Sequence, residues 1–253
     1  MTPLREVTTR LEALAREHPH GNLELAARYH GADAIGLRTL GLMVPMQRAA
    51  VREGYSFLAG SEREIARALD EVWRGSDCFE VMAQPLFYYA QKARRGQLLA
   101  RWPLLRDWSP RAKCWPHADQ LCGLYASILE LDPERVFPVL DRWSQGRLPW
   151  KRRLSIVSLI YYANSRSSVL PFAQLLPLIE RQVDVDHVYV QKGVGWSLRE
   201  LGNVYPQETW SWLERNATRL SASAYSAAVE KRSKAERDSL KAARKAARQS
   251  KRR

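Results

Sequence analysis

The chain has 253 residues, 45% of them hydrophobic, and carries 40 Lys or Arg against 27 Asp or Glu for a net charge of +13. That is long enough and apolar enough to bury a substantial core, and no unbroken apolar run approaches the ~18 residues of a membrane span. Three cysteines (Cys78, Cys114 and Cys122) without a CxxC pair argue against a disulfide framework or a cysteine-rich zinc site, and five scattered histidines offer no ligand cluster.

The N-terminus, MTPLREVTTRLEALAREH, is charged and amphipathic and lacks the apolar centre of a signal peptide, so a soluble cytoplasmic protein is expected. Thr9 with Glu12 has the spacing of a capping box opening LEALAREH. Helical periodicity then predicts helices over 62–73 (EREIARALDEVW), 78–94, 116–131 (PHADQLCGLYASILEL), 133–144 and 150–164 (WKRRLSIVSLIYYAN). Further helices are predicted over 169–184, 189–202 (YVQKGVGWSLRELG), 206–217 and 221–232. Pro116, Pro133 and Pro206 mark helix starts, where a missing N–H costs nothing. Almost no alternating strand pattern is present. The fold class predicted is all-α. Tryptophan-bearing helices start near residues 115, 150 and 188, a spacing that suits a superhelix of HEAT-like helical hairpin repeats, with a compact non-repeating bundle as the alternative.

The charge is unevenly placed. Residues 231–253 hold eleven Lys or Arg against Glu236 and Asp238, nine of the thirteen net charges, with Leu240 as the one large apolar residue. Such a segment reads as a disordered or frayed-helical tail beyond a domain of residues 1–230. It suits either a solubilising role or a phosphate-binding arm that gains affinity by counterion release.

Three places on the predicted helices combine tryptophan with charge. In CWPHADQLCG, Pro116 as first helical residue makes Trp115 the N-cap and puts Asp119 four residues on, near the same side, where the helix dipole favours a carboxylate. The same residues also suit an ordinary first turn beside a core tryptophan, and His117 is expected at the surface. In PWKRRLSIVS, Trp150 opens an apolar helix whose first turn carries Lys151, Arg152 and Arg153. Cations there oppose the dipole, and docked anions would relieve the repulsion, although a solvated basic turn is equally ordinary. In 189–202, Val190, Val194, Leu198 and Leu201 form a buried stripe, while Tyr189, Lys192, Trp196 and Arg199 form a second one. Gly193 and Gly195 thin the backbone beside it, for close approach of a neighbour or of a ligand.

WPHAD, PWKRRLSIVS and VQKGVGWSLRE resemble the three signature segments of the AlkD-like DNA alkylation-repair glycosylases, roughly W-x-x-x-D, W-x-R-R and Q-K-[AG]-[IV]-G-W-x-L-R-E. LGLMVP at 40–45 and the EVW…FE segment at 71–80 extend the likeness over most of residues 20–230. The resemblance implies a HEAT-like α-solenoid with a concave basic face for duplex DNA, and excision of cationic N3- or N7-alkylated purines. It carries the catalytic aspartate onto Asp119, the lesion-side tryptophans onto Trp115 and Trp196, and DNA-gripping arginines onto Arg153 and Arg199. Lys192, Arg152, Lys151 and Trp150 complete the expected DNA-binding set. Pro116 and the Met43–Val44 pair depart from the family pattern. No metal or cofactor is expected, the partner is double-stranded DNA containing alkylated purines, and the chain is expected to act as a monomer. A catalytically inactive nucleic-acid-binding or scaffold protein of the same fold is the alternative.

Overall fold

The computed structural model describes residues 1–19, 21–31 and 33–250. Among these the chain is all-α, with fourteen α-helices joined by short 3-10 turns and one isolated bridge between Arg38 and Cys78. No helix among them is long and apolar enough to cross a membrane. The chain divides into two compact units, Met1–Leu124 and Tyr125–Arg253, with the boundary inside the helix Trp115–Leu131.

The first unit contains α1 (Pro3–Glu17), α2 (Leu23–His30), α3 (Val44–Glu53), α4 (Glu62–Gly75), α5 (Phe79–Tyr89), α6 (Leu98–Asp107) and the start of α7 (Trp115–Leu131). Helix α1 starts earlier than the Thr9/Glu12 pattern predicts. Thr2 caps it by accepting from the Arg5 amide, Pro3 follows, and Glu12 pairs instead with Arg38. Ser61 and Glu64 form the reciprocal capping box of α4. Helix α5 is buried along its whole length, Glu80 and Gln84 included. It packs against α1, α3 and α4 over a core that includes Leu11, Val72, Trp73, Met82 and Leu86. Helices α2, α3 and α6 are absent from the sequence reading because their apolar stripes are short or interrupted.

The second unit continues with α8 (Pro133–Gln145), α9 (Pro149–Leu159), α10 (Phe172–Glu180), α11 (Val188–Val204), α12 (Pro206–Asn216), α13 (Ala222–Ala228) and α14 (Lys234–Ser250). Consecutive pairs pack (α8 on α9, α11 on α12), and so do next-but-one pairs (α9 on α11, α11 on α13). That is the contact pattern of stacked helical hairpins. Helix α11 is central. Val190, Val194, Leu198 and Leu201 on it are fully buried, together stabilising by roughly 6–12 kcal/mol before entropy, against about 2 kcal/mol lost to two interior glycines.

Both glycines serve packing. A Cβ on Gly195 would lie 2.8 Å from the Cα of Ala224, so α11 and α13 can meet only where that side chain is missing. A Cβ on Gly193 would lie 3.3 Å from Nη1 of Arg153, whose guanidinium passes across the helix there.

Residues 234–250, expected to be disordered or frayed, form α14. Ser233 and Glu236 bond each other's backbone amides at its start. Leu240 is buried, and Arg244, one turn on, lies under cover with its guanidinium donating to the Ala217 carbonyl and 4.4 Å from the Tyr225 ring centroid. Two anchors four residues apart fix one face of the helix, and the other faces present Lys234, Arg237, Lys241 and Lys245 to solvent. Residues 251–253 lie outside the described residues.

Candidate nucleic-acid interface

The first group of residues gathers at the start of α7. The amide of Ala118 donates to the carbonyl of Cys114 (3.1 Å), so the helix begins one residue earlier than Pro116 suggests and Trp115 is its first residue rather than its N-cap. Cys114, His117, Ala118 and Leu121 face inward, each 1% exposed or less. Trp115 and Asp119, one turn apart on the opposite side, are both half-buried.

His117 corrects the surface placement expected for it. Its ring stacks on Phe79 at 4.6 Å, meets the edge of Trp73 at 5.5 Å, and bonds the Phe79 carbonyl through Nε2 at 3.0 Å. Burial pushes its pKa down to about 4. It is therefore neutral at pH 7, and because Nε2 faces a carbonyl oxygen, the proton sits on Nε2.

Trp115 is pinned from α2. Its indole N–H donates to the carbonyl of exposed Tyr29 (2.9 Å), whose ring meets it edge to face at 5.7 Å. Tyr29 is a neighbour of Trp115 that sequence reasoning missed, because one tyrosine in a short helix gives no periodic signal. Nearby in sequence, the buried carboxylate of Glu80 accepts from Thr39 Oγ1 (2.8 Å), Leu40 N (2.9 Å) and Gly41 N (2.8 Å). Those bonds hold the LGLMVP segment and leave Met43 and Val44 exposed at the start of α3.

The second group lies on α9 and α11. None of the three cations in the first turn of α9 stands out in solvent. Lys151 lies over the Trp143 ring at 5.3 Å. Arg152 donates to Gly146 O (2.6 Å) and Gln182 Oε1 (3.2 Å). Arg153 is only 6% exposed and donates through Nη1 to Tyr189 O (2.6 Å). The carbonyl oxygens of Gly146 and Tyr189 thus offset the repulsion of Arg152 and Arg153 by the helix dipole. Trp150 stacks on Tyr189 at 5.0 Å, and the exposed ammonium of Lys192 lies 5.4 Å from that same ring. Burial, and then the charge of Arg153, lowers the pKa of His187 beside Trp150.

One helical turn further along α11, half-buried Trp196 sits between Tyr161 (5.5 Å) and Tyr162 (5.8 Å), with Arg199 5.9 Å from its ring. Arg199 is engaged by two carboxylates, Glu230 at 2.6 Å and Glu200 at 3.3 Å. So the two stripes predicted for 189–202 separate as expected. The apolar one is buried, and Tyr189, Lys192, Trp196 and Arg199 line the outer side.

Each group is thus assembled within its own unit, Trp115 and Asp119 in the first, Trp150, Lys151, Arg152, Arg153, Lys192, Trp196 and Arg199 in the second. Among the described residues no three His, Cys, Asp or Glu side chains come together as a metal-binding cluster.

The family model for DNA alkylation repair enzymes matches residues 7–231. Among solved structures, the chain is similar to an Enterococcus faecalis protein described as a "predicted DNA alkylation repair enzyme". The identity is 16%, 84% of this chain and 97% of that one are covered, and the TM-score is 0.66. It is also similar to AlkD2 from Streptococcus mutans (16% identity, 75% and 90% covered, TM-score 0.53) and to smu.31 from Streptococcus mutans UA159 (15%, 81% and 96%, TM-score 0.52). At these identities the likeness shows a shared fold. A comparison with curated proteins returns no match.

Proposed function

The chain belongs to the family of DNA alkylation repair enzymes, and from that premise we propose that it is a monofunctional DNA glycosylase. Its substrate is a cationic N3- or N7-alkylated purine in duplex DNA. The observation that carries this reading is the outward pairing of Trp115 and Asp119 on α7, with Cys114, His117, Ala118 and Leu121 turned into the core.

Alkylation at N3 or N7 makes the purine a cation, so it departs as a neutral base when the N-glycosidic bond breaks and the bonding pair moves to the ring nitrogen. No general acid is needed. The sugar becomes oxocarbenium-like, and the Asp119 carboxylate stabilises that charge electrostatically. Water adds at the anomeric carbon and gives its proton to Asp119 and then to solvent. The indole faces of Trp115 and Trp196 suit the cationic base and the electron-poor sugar, each contact contributing about 0.5–2 kcal/mol. Lys192 and Arg199 hold phosphates beside the lesion, Arg199 exchanging Glu230 for the DNA. Arg153, Arg152, Lys151 and Trp150 brace that side from beneath, and the exposed lysines of α14 add sequence-independent affinity. The protein acts as a monomer on DNA in the cytoplasm, without metal or cofactor.

Incubation with methylated duplex DNA, followed by chromatography of released bases, tests this reading. Release of N3- or N7-methylpurines that persists in EDTA is expected. DNA binding without release would make the chain an inactive binder, and neither binding nor release would make it a scaffold.

A further inference from the structure

The chain leaves α9 through a corner that no helical pattern requires. Tyr162 has φ 43° and ψ 57°, and it is the one non-glycine residue with positive φ among the described residues. L-residues with a bulky side chain avoid this left-handed conformation unless their surroundings impose it. Here they do. The amide and the hydroxyl of Ser165 both donate to the Tyr162 carbonyl (2.9 and 2.8 Å), and the next residue, Arg166, is anchored by its guanidinium to the Ala126 carbonyl and to Glu130.

A strained corner fixed this firmly aims its side chain. Tyr162 is 56% exposed and its ring stands edge-on to Trp196, at 5.8 Å and 89°, while Tyr161 meets the same indole from a tilted position at 5.5 Å. An exposed tyrosine held at this angle covers little apolar surface. What it does is bound one side of the half-buried indole. We propose that Tyr162 is a positioning residue for Trp196: the left-handed corner holds its ring as a wall that keeps the indole in one orientation. The inference rests on the glycosylase reading of Trp196 given above. It adds that the strain at Tyr162 is retained for the site rather than for the fold.

The test uses the full chain with Tyr162→Gly, Tyr162→Asn and Tyr162→Phe. Glycine and asparagine both accept the left-handed backbone but remove the ring. Relief of strain opposes the added freedom of the unfolded chain, so their melting temperatures should stay within about 3 °C of wild type. Single-turnover release of methylpurine at saturating protein should fall by roughly tenfold, the most that one aromatic edge contact can contribute. DNA affinity should be unchanged, and Tyr162→Phe should retain the rate.

A second readout is independent of activity. The Trp196 indole N–H resonance, assigned by its loss in Trp196→Phe, should move and broaden in Tyr162→Gly and Tyr162→Asn as the indole samples further orientations. Rates within twofold of wild type in Tyr162→Gly would overturn the proposal. So would a rate loss without movement of that resonance, an equal loss in Tyr162→Phe, or a collapse of the fold in both Tyr162→Gly and Tyr162→Asn. If wild type itself releases no base, the glycosylase reading fails, and the broadening of that resonance alone decides whether Tyr162 positions the indole.

Discussion

Acidification should destabilise this protein through His117. The imidazole is fully buried, and its pKa falls from 6.5 to about 4 on folding. Above pH 6.5 neither folded nor unfolded chain carries a proton there, and the full stability is present. As the pH drops through 6.5 the unfolded chain takes up a proton that the folded chain refuses until about pH 4, so stability is lost across that window. At pH 5 the loss is about 2 kcal/mol, approaching about 3 kcal/mol by pH 4. For a chain of this length 2 kcal/mol corresponds to roughly 4–8 °C in melting temperature. Thermal melts of wild type and His117→Gln at pH 7.5 and pH 5 isolate this contribution, because the carboxylates are common to both proteins. Glutamine keeps a donor for the Phe79 carbonyl but does not titrate, so its melting temperature should fall by several degrees less between the two pH values. The same pH dependence in both proteins would refute the argument. The consequence reaches the site, since His117 locks the first turn of α7 that carries Trp115 and Asp119.

Asp119→Asn should cut single-turnover excision by roughly a hundredfold or more, about 2.7 kcal/mol of barrier, with the melting temperature and the affinity for undamaged DNA retained or slightly raised. Weaker binding together with the rate loss would assign Asp119 an organising role instead. Gly195→Ala should destabilise by about 1–3 kcal/mol, seen as an earlier melting transition, because the new methyl group meets the backbone of Ala224 on α13. Replacing Lys234, Lys241 and Lys245 by alanine should weaken DNA binding and flatten its log–log salt dependence by up to about 2–3, leaving the saturating excision rate intact. An unchanged salt slope would place the α14 lysines away from the DNA.

The sequence by itself determined the helical class, the buried stripe of α11 and the starts of the tryptophan-bearing helices, because apolar spacing of 3.6 residues is a local property of the chain. It also carried the Trp115–Asp119 pairing, since residues four apart on a helix share a side whatever else surrounds them. Tertiary structure decided the rest. His117 looks like a surface histidine until α5 brings the Phe79 ring and carbonyl against it. Arg153 looks like a free cation until α11 presents the Tyr189 carbonyl, and the basic tail looks featureless until Tyr225 and the Ala217 carbonyl give Arg244 a seat. Tyr29 reaches Trp115, and Tyr162 reaches Trp196, only because helix α2 and the turn after α9, distant in sequence, carry them there. Whether a polar side chain is buried or displayed depends on the partner that folding supplies, and that partner lies tens of residues away in every one of these cases except Tyr225 and Ala217, which precede Arg244 by 19 and 27 residues.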